Sequence, residues 1–356
     1  MRVCIIGTGL SALTLAKALV KENIYVDLVF LNKKNKINLS RTIGISKSNF
    51  EYVNSNIINI KKIAWKLQKI EIFSDNLKNG NILNFKNNED HLFSIIKNYK
   101  FYEILNKSLL SSNYCKIMKF KNNIKNYKKY NLIINTDYFC PFTKKYFYQK
   151  VFKKYNSFAY TTLIKHKKIR NTTATQIFTK IGPLAFLPIS ESQTSVVYSI
   201  YNSLKKNNKN IVDLIKEYNF RYEIQNIEKI EVVELQSSIL RSYYHGKILA
   251  FGDLLHKIHP LAGQGFNMTI RDINVLVDVI KEKISLGLPL DVSVNESFEK
   301  KLRHKNYLFF SSIDLIHEFF NIEKESKNNI LTNSVKLLGT NSSIKKIFTK
   351  IADKGF

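Results

Sequence analysis

The chain has 356 residues, 44% of them hydrophobic, with 56 Lys+Arg against 28 Asp+Glu and a formal net charge of +28. The hydrophobic fraction excludes global disorder, and the length calls for two domains or one large domain with an insertion. The Lys surplus travels with Asn and Ile, as in "NKKNKIN" (32–38) and "FKNNIKNYKKYN" (120–131), with no basic stripe interleaved with stacking aromatics; composition explains it, and no nucleic-acid partner is expected. Three scattered cysteines, Cys4, Cys115 and Cys140, have no metal spacing and fit a reduced, cytoplasmic interior. No signal peptide and no apolar run of membrane-spanning length is read.

In chain order, "RVCIIGTGLSALTLAKALVKENIYVDLVFLN" reads as strand, glycine turn, helix, strand. Val3–Ile6 is a continuous apolar run, as a strand buried on both faces requires, and Val26–Leu31 is read as the second buried strand. Leu10, Leu13, Leu15, Ala16, Leu19 and Val20 give the helix one apolar face. This is a βαβ unit opening a doubly wound parallel sheet. His91–Leu110 reads as a helix, and "CKIMKF" and "YNLIINT" as strands. From Ser157 to Tyr201 the pattern becomes short β-branched and aromatic runs at hairpin spacing, an antiparallel sheet. A helix over Lys205–Tyr218, a strand in "EKIEVVELQ" and a buried strand in "KILAFGD" (247–253) follow, then helices to the end. The parallel sheet therefore starts at the N-terminus, is interrupted, and resumes near residue 247.

Gly7-Thr8-Gly9-Leu10-Ser11-Ala12 is a GxGxxA turn between a strand and a helix. The first glycine makes the tight turn, the second lets a pyrophosphate approach the backbone, and the small third residue lets helix and strand pack closely. The helix end offers free N–H groups and a positive dipole. The acid that such folds place at the end of the second strand is missing: the count lands on Phe30, and Asn32 is the nearest acceptor.

The most patterned stretch is "FGDLLHKIHPLAGQGFNMTIRDINVL" (251–276). A buried strand ends at Gly252-Asp253, where ligands bind in parallel sheets. Asp253 suits a polyol hydroxyl. Pro260 and Gly263-Gln264-Gly265 form a tight loop, and a helix over Phe266–Ile284 points its N-terminus at the same edge.

These residues resemble the FAD-dependent aromatic monooxygenases of the para-hydroxybenzoate hydroxylase fold. Within these they are most similar to the ubiquinone-biosynthesis hydroxylases. The resemblance rests on the 252–272 segment, on "SRTIGIS" (40–46), on "KIGPLAFLPI" (180–189) with His166 and Ala174 upstream, and on "KLRHKNYLFFSSIDLIHEFFN" (301–321). It implies an α/β fold: a FAD-binding Rossmann-like domain interrupted by an antiparallel β-sheet substrate domain, with C-terminal helices. Residues 1–62, 90–150 and 245–356 would form the first, and 63–89 and 151–244 the second. Gly7, Gly9 and Ala12 would hold the FAD pyrophosphate, and Arg41 would lie over the flavin side. Asp253 would bind the ribityl chain. Pro260, Gly263, Gln264, Gly265, Phe266 and Asn267 would line the isoalloxazine edge.

NAD(P)H would reduce the flavin, and O2 would supply a hydroxyl for an electron-rich ring of a polyprenyl phenol or quinone precursor. The family's middle GADG run appears as "INTDYF", with Asp137 kept and Asn135 and Tyr138 in place of glycines. A non-catalytic lipid- or flavin-binding accessory protein, or a hydroxylase of a soluble phenol, are the alternatives. His259 is the candidate catalytic side chain; a histidine beside a tight turn also serves as a structural hydrogen-bonder. The tail "SSIKKIFTKIADKGF" (342–356) either lies on an anionic membrane surface, at the inner membrane or within a quinone-biosynthesis complex, or packs on its own domain. No metal is expected.

Overall fold

A computed structural model describes residues 1–31, 39–75, 80–86, 90–120, 127–201, 210–259, 263–326 and 342–355. The opening unit is β1 (Arg2–Ile6), α1 (Leu10–Lys21) and β2 (Tyr25–Phe30). β1 lies between parallel neighbours, with Val3 opposite Val26 of β2 on one side and Leu132 on the other. Its side chains alternate between two cores: Val3 and Ile5 pack with α1, while Cys4 and Ile6 face a cluster containing Tyr127, Tyr130 and Phe142. An unbroken apolar run is the consequence of having both faces covered. Cys115–Lys119 extends the sheet beyond β2, Ile248–Ala250 extends it beyond Leu132–Asn135, and Tyr244–His245 adds an antiparallel edge.

A second, antiparallel sheet runs in the order His256–Lys257, Glu231–Leu240, Lys150–His166, Gln193–Tyr201, Gly182–Pro188, Thr173–Thr179, Lys69–Ser74, Gly80–Lys86. Thr173–Thr179 and Lys69–Ser74 pair in parallel, and Ile224–Ile227 pairs off Lys150–His166. In Gly182–Pro188 every second residue is buried, the period of a strand with one face on a core. A third small sheet joins Thr42–Ser46, Phe93–Lys97 and Ala64–Leu67.

The helix expected over 91–110 is corrected by this small sheet. Phe93–Lys97 is a strand held on both sides, and the helix starts at Asn98. Ile95 and Ile96 are β-branched neighbours buried between two partners, and pairing overrides the helical spacing. The expected helix over 205–218 is Ile211–Glu217, capped by the Asn210 side chain on the Val212 N–H, with its expected start outside the described residues. The strand expected from Ser157 begins at Lys150.

The 248–285 segment serves both large sheets. Ile248–Ala250 ends the parallel sheet, Gly252–Leu254 makes a 3-10 turn, and His256–Lys257 joins the antiparallel sheet opposite Ile239 and Ser238. The helix Gly265–Ser285 follows. His256 Nε2 lies 2.5 Å from Asp272 Oδ2 on that helix, both side chains essentially out of solvent. Asn306 Nδ2 donates to Asp272 Oδ1 at 3.1 Å, bringing in the long helix Val292–Ser326. The same long helix reaches the antiparallel sheet through Asp314, which accepts from the Tyr155 hydroxyl (2.7 Å) and Lys153 Nζ (2.8 Å).

Removing one member of a buried pair strands the other, so Asp272→Ala should cost about 3 kcal/mol of unfolding free energy. Asp272→Asn, which keeps an acceptor for His256, should cost less. Urea denaturation followed by circular dichroism measures both.

Candidate functional site

Three strand ends and two helix starts form one edge. Gly7 has φ +118°, and its N–H donates to the Val29 carbonyl at 2.8 Å. A methyl group there would lie 2.1 Å from Thr136 Oγ1, which is itself held by the Ile6 carbonyl at 2.9 Å. Close approach of backbone and neighbouring strand therefore demands glycine. Gly9 differs: a methyl group there would meet nothing within 4 Å. It caps α1 with no side-chain bond, and the first turn carries no acid. Open N–H groups facing open space at a positive helix end are what a pyrophosphate needs. Ala12 is fully buried in the core behind the turn.

The second motif meets the first by direct packing. Gly252, at φ +64°, lies so close to Ser11 that a methyl group would come within 2.7 Å of its Cβ. That contact fixes Asp253 at the edge, exposed between buried Gly252 and Leu254. The helix Gly265–Ser285 starts behind Gln264 with no side-chain cap. Gln264 is buried, and its Oε1 has no hydrogen-bond partner among the described residues. Gly263 has φ +64° and is exposed, while Phe266 stands edge-on to Phe101 at 6.0 Å. Pro260 lies outside the described residues, as does Asn32.

Asn267 has a structural task that sequence could not show. Its Oδ1 accepts from Ser46 N (3.0 Å) and Asn49 Nδ2 (3.1 Å), and its Nδ2 donates to Gly44 O (3.2 Å) and Gly263 O (3.4 Å). Fully buried, it clamps the glycine loop and its helix to the Thr42–Ser46 strand. Arg41, exposed, precedes that strand, and its carbonyl accepts from Asn98 N at 3.0 Å. Thr42 Oγ1 bonds Ser195 Oγ at 2.9 Å, tying the Arg41 strand to the antiparallel sheet.

Lys257 was not singled out from sequence. It is half-buried between buried His256 and Ile258, and burial draws its ammonium below the ordinary lysine value. The Asp253 carboxylate opposes that shift and the Arg41 charge adds to it, so the three share one electrostatic neighbourhood. A cation inside "HKIHP" was the available signal. His259 is buried, its ring edge-on to Tyr155 at 4.7 Å.

In "INTDYF" the side chains form a local knot. Asn135 Nδ2 donates to Thr143 Oγ1 (2.7 Å), and Asp137 Oδ1 accepts from Phe139 N (2.8 Å). Tyr138 reaches across to the neighbouring strand end, its hydroxyl donating to the Asp253 backbone carbonyl. The residues present fit a dinucleotide: an open helix end at Gly9, an exposed carboxylate at Asp253 for hydroxyls, and a buried unsatisfied Gln264 Oε1. Tyr138 narrows the stretch between the first two.

A parallel sheet with a glycine turn, a strand-end acid and a covering antiparallel sheet make up the architecture of the para-hydroxybenzoate hydroxylase fold. A family profile described as "FAD binding domain" matches residues 204–285. The 3-demethoxyubiquinol 3-hydroxylase of Escherichia coli is 29% identical over 154 residues, 41% of this chain and 39% of that protein. The mitochondrial ubiquinone biosynthesis monooxygenase COQ6 of Danio rerio is 23% identical over 195 residues, 42% of this chain and 40% of that protein. The chain thus spans about 40% of the length of these curated relatives. In fold it is similar to the p-nitrophenol 4-monooxygenase PnpA of Pseudomonas putida, with a TM-score of 0.76, 10% identity, and coverage of 99% of this chain and 98% of that one. These comparisons place the chain in similarity to FAD-dependent monooxygenases, through the FAD-binding profile, the ubiquinone hydroxylases and the fold.

Gly7→Ala adds a methyl group against Thr136 at a φ that L residues avoid, and should destabilise the protein by about 2 kcal/mol. The midpoint of thermal unfolding reports it.

Proposed function

We propose that the chain is an FAD-dependent monooxygenase that hydroxylates the aromatic ring of a polyprenyl phenol or quinone precursor in ubiquinone biosynthesis, with NAD(P)H as reductant and O2 as co-substrate. The observation that carries the flavin assignment is the packing of Gly252 on Ser11, which sets Asp253 and the open helix end at Gly9 on one edge. The substrate class is supported by the ubiquinone-hydroxylase relatives.

Bound FAD, once reduced, supplies the chemistry that activates oxygen. The protein supplies binding, orientation and electrostatics. N–H groups at Gly9 and the first turn of α1 hold the pyrophosphate, with Ala12 letting helix and strand close up. Asp253 accepts from ribityl hydroxyls. The helix end at Gln264–Gly265, with Gly263 and Phe266 beside it, would favour negative charge on the isoalloxazine. Arg41 and Lys257 add positive charge to the same neighbourhood. Asn267 positions this loop through its four bonds rather than by offering a free polar group. No side chain is assigned as catalytic base; His259 is packed against Tyr155.

Residues 1–62, 90–150 and 245–356 carry the cofactor on this proposal, and 63–89 with 151–244 cover the substrate. No helix among the described residues is long and apolar enough to cross a membrane. The C-terminal helix Ser342–Lys354 packs on its own domain through Ile351 and Asp353, with Lys346, Lys350 and Lys354 exposed.

Two measurements test the proposal. Purified protein should be yellow and bleach with NAD(P)H, and the gene should restore quinone to a mutant blocked at ring hydroxylation. Protein that takes up no FAD would remove the flavin assignment, while flavin uptake without restored quinone would remove the substrate alone. Gly9→Ala supplies a sharper discrimination. The fold leaves room for the methyl group, so stability should hold while FAD affinity falls by about tenfold, or about 1.4 kcal/mol. Fluorescence titration of FAD reads the affinity.

A further inference from the structure

The helix Gly265–Ser285 also borders a cavity beside Asn49 and Arg271. This cavity of about 290 Å³ opens between that helix, the short helix Lys47–Tyr52, the long helix Val292–Ser326 and the C-terminal helix Ser342–Lys354. Tyr52, Arg271, Asn274, Lys305, Phe309 and Lys354 are among its lining residues. The Arg271 guanidinium stacks on the Phe309 ring, 4.5 Å from its centroid. Its Nη1 is buried and has no acceptor among the described residues.

A buried guanidinium donor without an acceptor is costly, because the water it gave up is not replaced. The carboxylates nearby do not replace it. Asp272 is occupied by His256 and Asn306, and Asp353 accepts from the Ser48 N–H and hydroxyl. Neither makes an ion pair with Arg271 among the described residues. Burial lowers Arg271 to about 10, against the pull of Asp272 and Asp353, so it is still cationic at neutral pH. Lys305 and Lys354 are exposed and add positive charge at the rim.

We propose that this cavity binds a small soluble oxyanion, with Arg271 as its fixed donor fork and Lys305 and Lys354 closing over it. The planar fork of arginine matches two oxygens of a phosphate or carboxylate, and its stacking on Phe309 sets the fork before the ligand arrives. The volume suits a phosphate-sized or short carboxylate ligand and excludes a polyprenyl chain. The site is distinct from the glycine turn at Gly7–Ala12 and does not rest on the flavin assignment.

The test is a titration of inorganic phosphate into the full chain with FAD in excess, at an ionic strength held constant with chloride, followed by thermal unfolding. A saturable rise in Tm is expected. Arg271→Gln should weaken phosphate by about tenfold, and the rim variant Lys305→Gln by a smaller factor. No rise beyond the chloride control overturns the proposal, as does an unchanged affinity in Arg271→Gln, which would place the anion elsewhere. Should Arg271→Gln fail to fold, the double rim variant Lys305→Gln/Lys354→Gln decides: weakened binding supports the site, and unchanged binding overturns it.

Discussion

The buried contact between His256 and Asp272 holds the edge of the antiparallel sheet to the helix that follows the glycine loop. His256 sits on an edge strand of the antiparallel sheet, and Asp272 on the helix that follows the glycine loop. Asn306 adds the long C-terminal helix to the same carboxylate. Removing one partner leaves the other's facing polar atom buried and unpaired, so the pair fails as a unit. Asn267 completes the fixing from the other side, binding the loop's carbonyl and the Thr42–Ser46 strand through a single carboxamide.

The electrostatics of the proposed cofactor edge come from backbone and from few side chains. Neither helix that starts there carries an acid in its first turn. Arg41 and the exposed carboxylates of Asp253 and Glu234 all act on Lys257. Most of the +28 charge is elsewhere. The departure at 135–138 acquires a physical meaning in this setting. Tyr138 does not leave a gap where glycine is expected but bonds the Asp253 carbonyl, joining two strand ends across the edge.

Much of the fold was legible because its determinants are local. Val3–Ile6 had to be doubly buried, and Leu13, Leu15 and Leu19 had to face a sheet; all are in the core. The helix after Gln264 was legible for the same reason, from Met268, Ile270, Ile273 and Leu276 at helical spacing, which the core also contains. Phe93–Lys97 was misjudged because its sequence suits either state, and its two strand partners are contributed by 42–46 and 64–67. Lys257 escaped notice because its meaning depends on charges at positions 41 and 253, which only folding brings together.

By itself the sequence determined the opening βαβ unit, the glycine turns, the strand-end acid and the resemblance to the aromatic monooxygenases. Each depends on residues within one turn or one strand of each other, where spacing and side-chain type suffice. Only the tertiary structure decided that Gly7 is sterically obligatory while Gly9 faces open space, since Thr136 approaches one and nothing approaches the other. Likewise it made Asn267 a clamp and left Arg271 Nη1 without an acceptor in a cavity. Contacts between residues more than a hundred positions apart are set by how sheets and helices pack, and no local pattern encodes them.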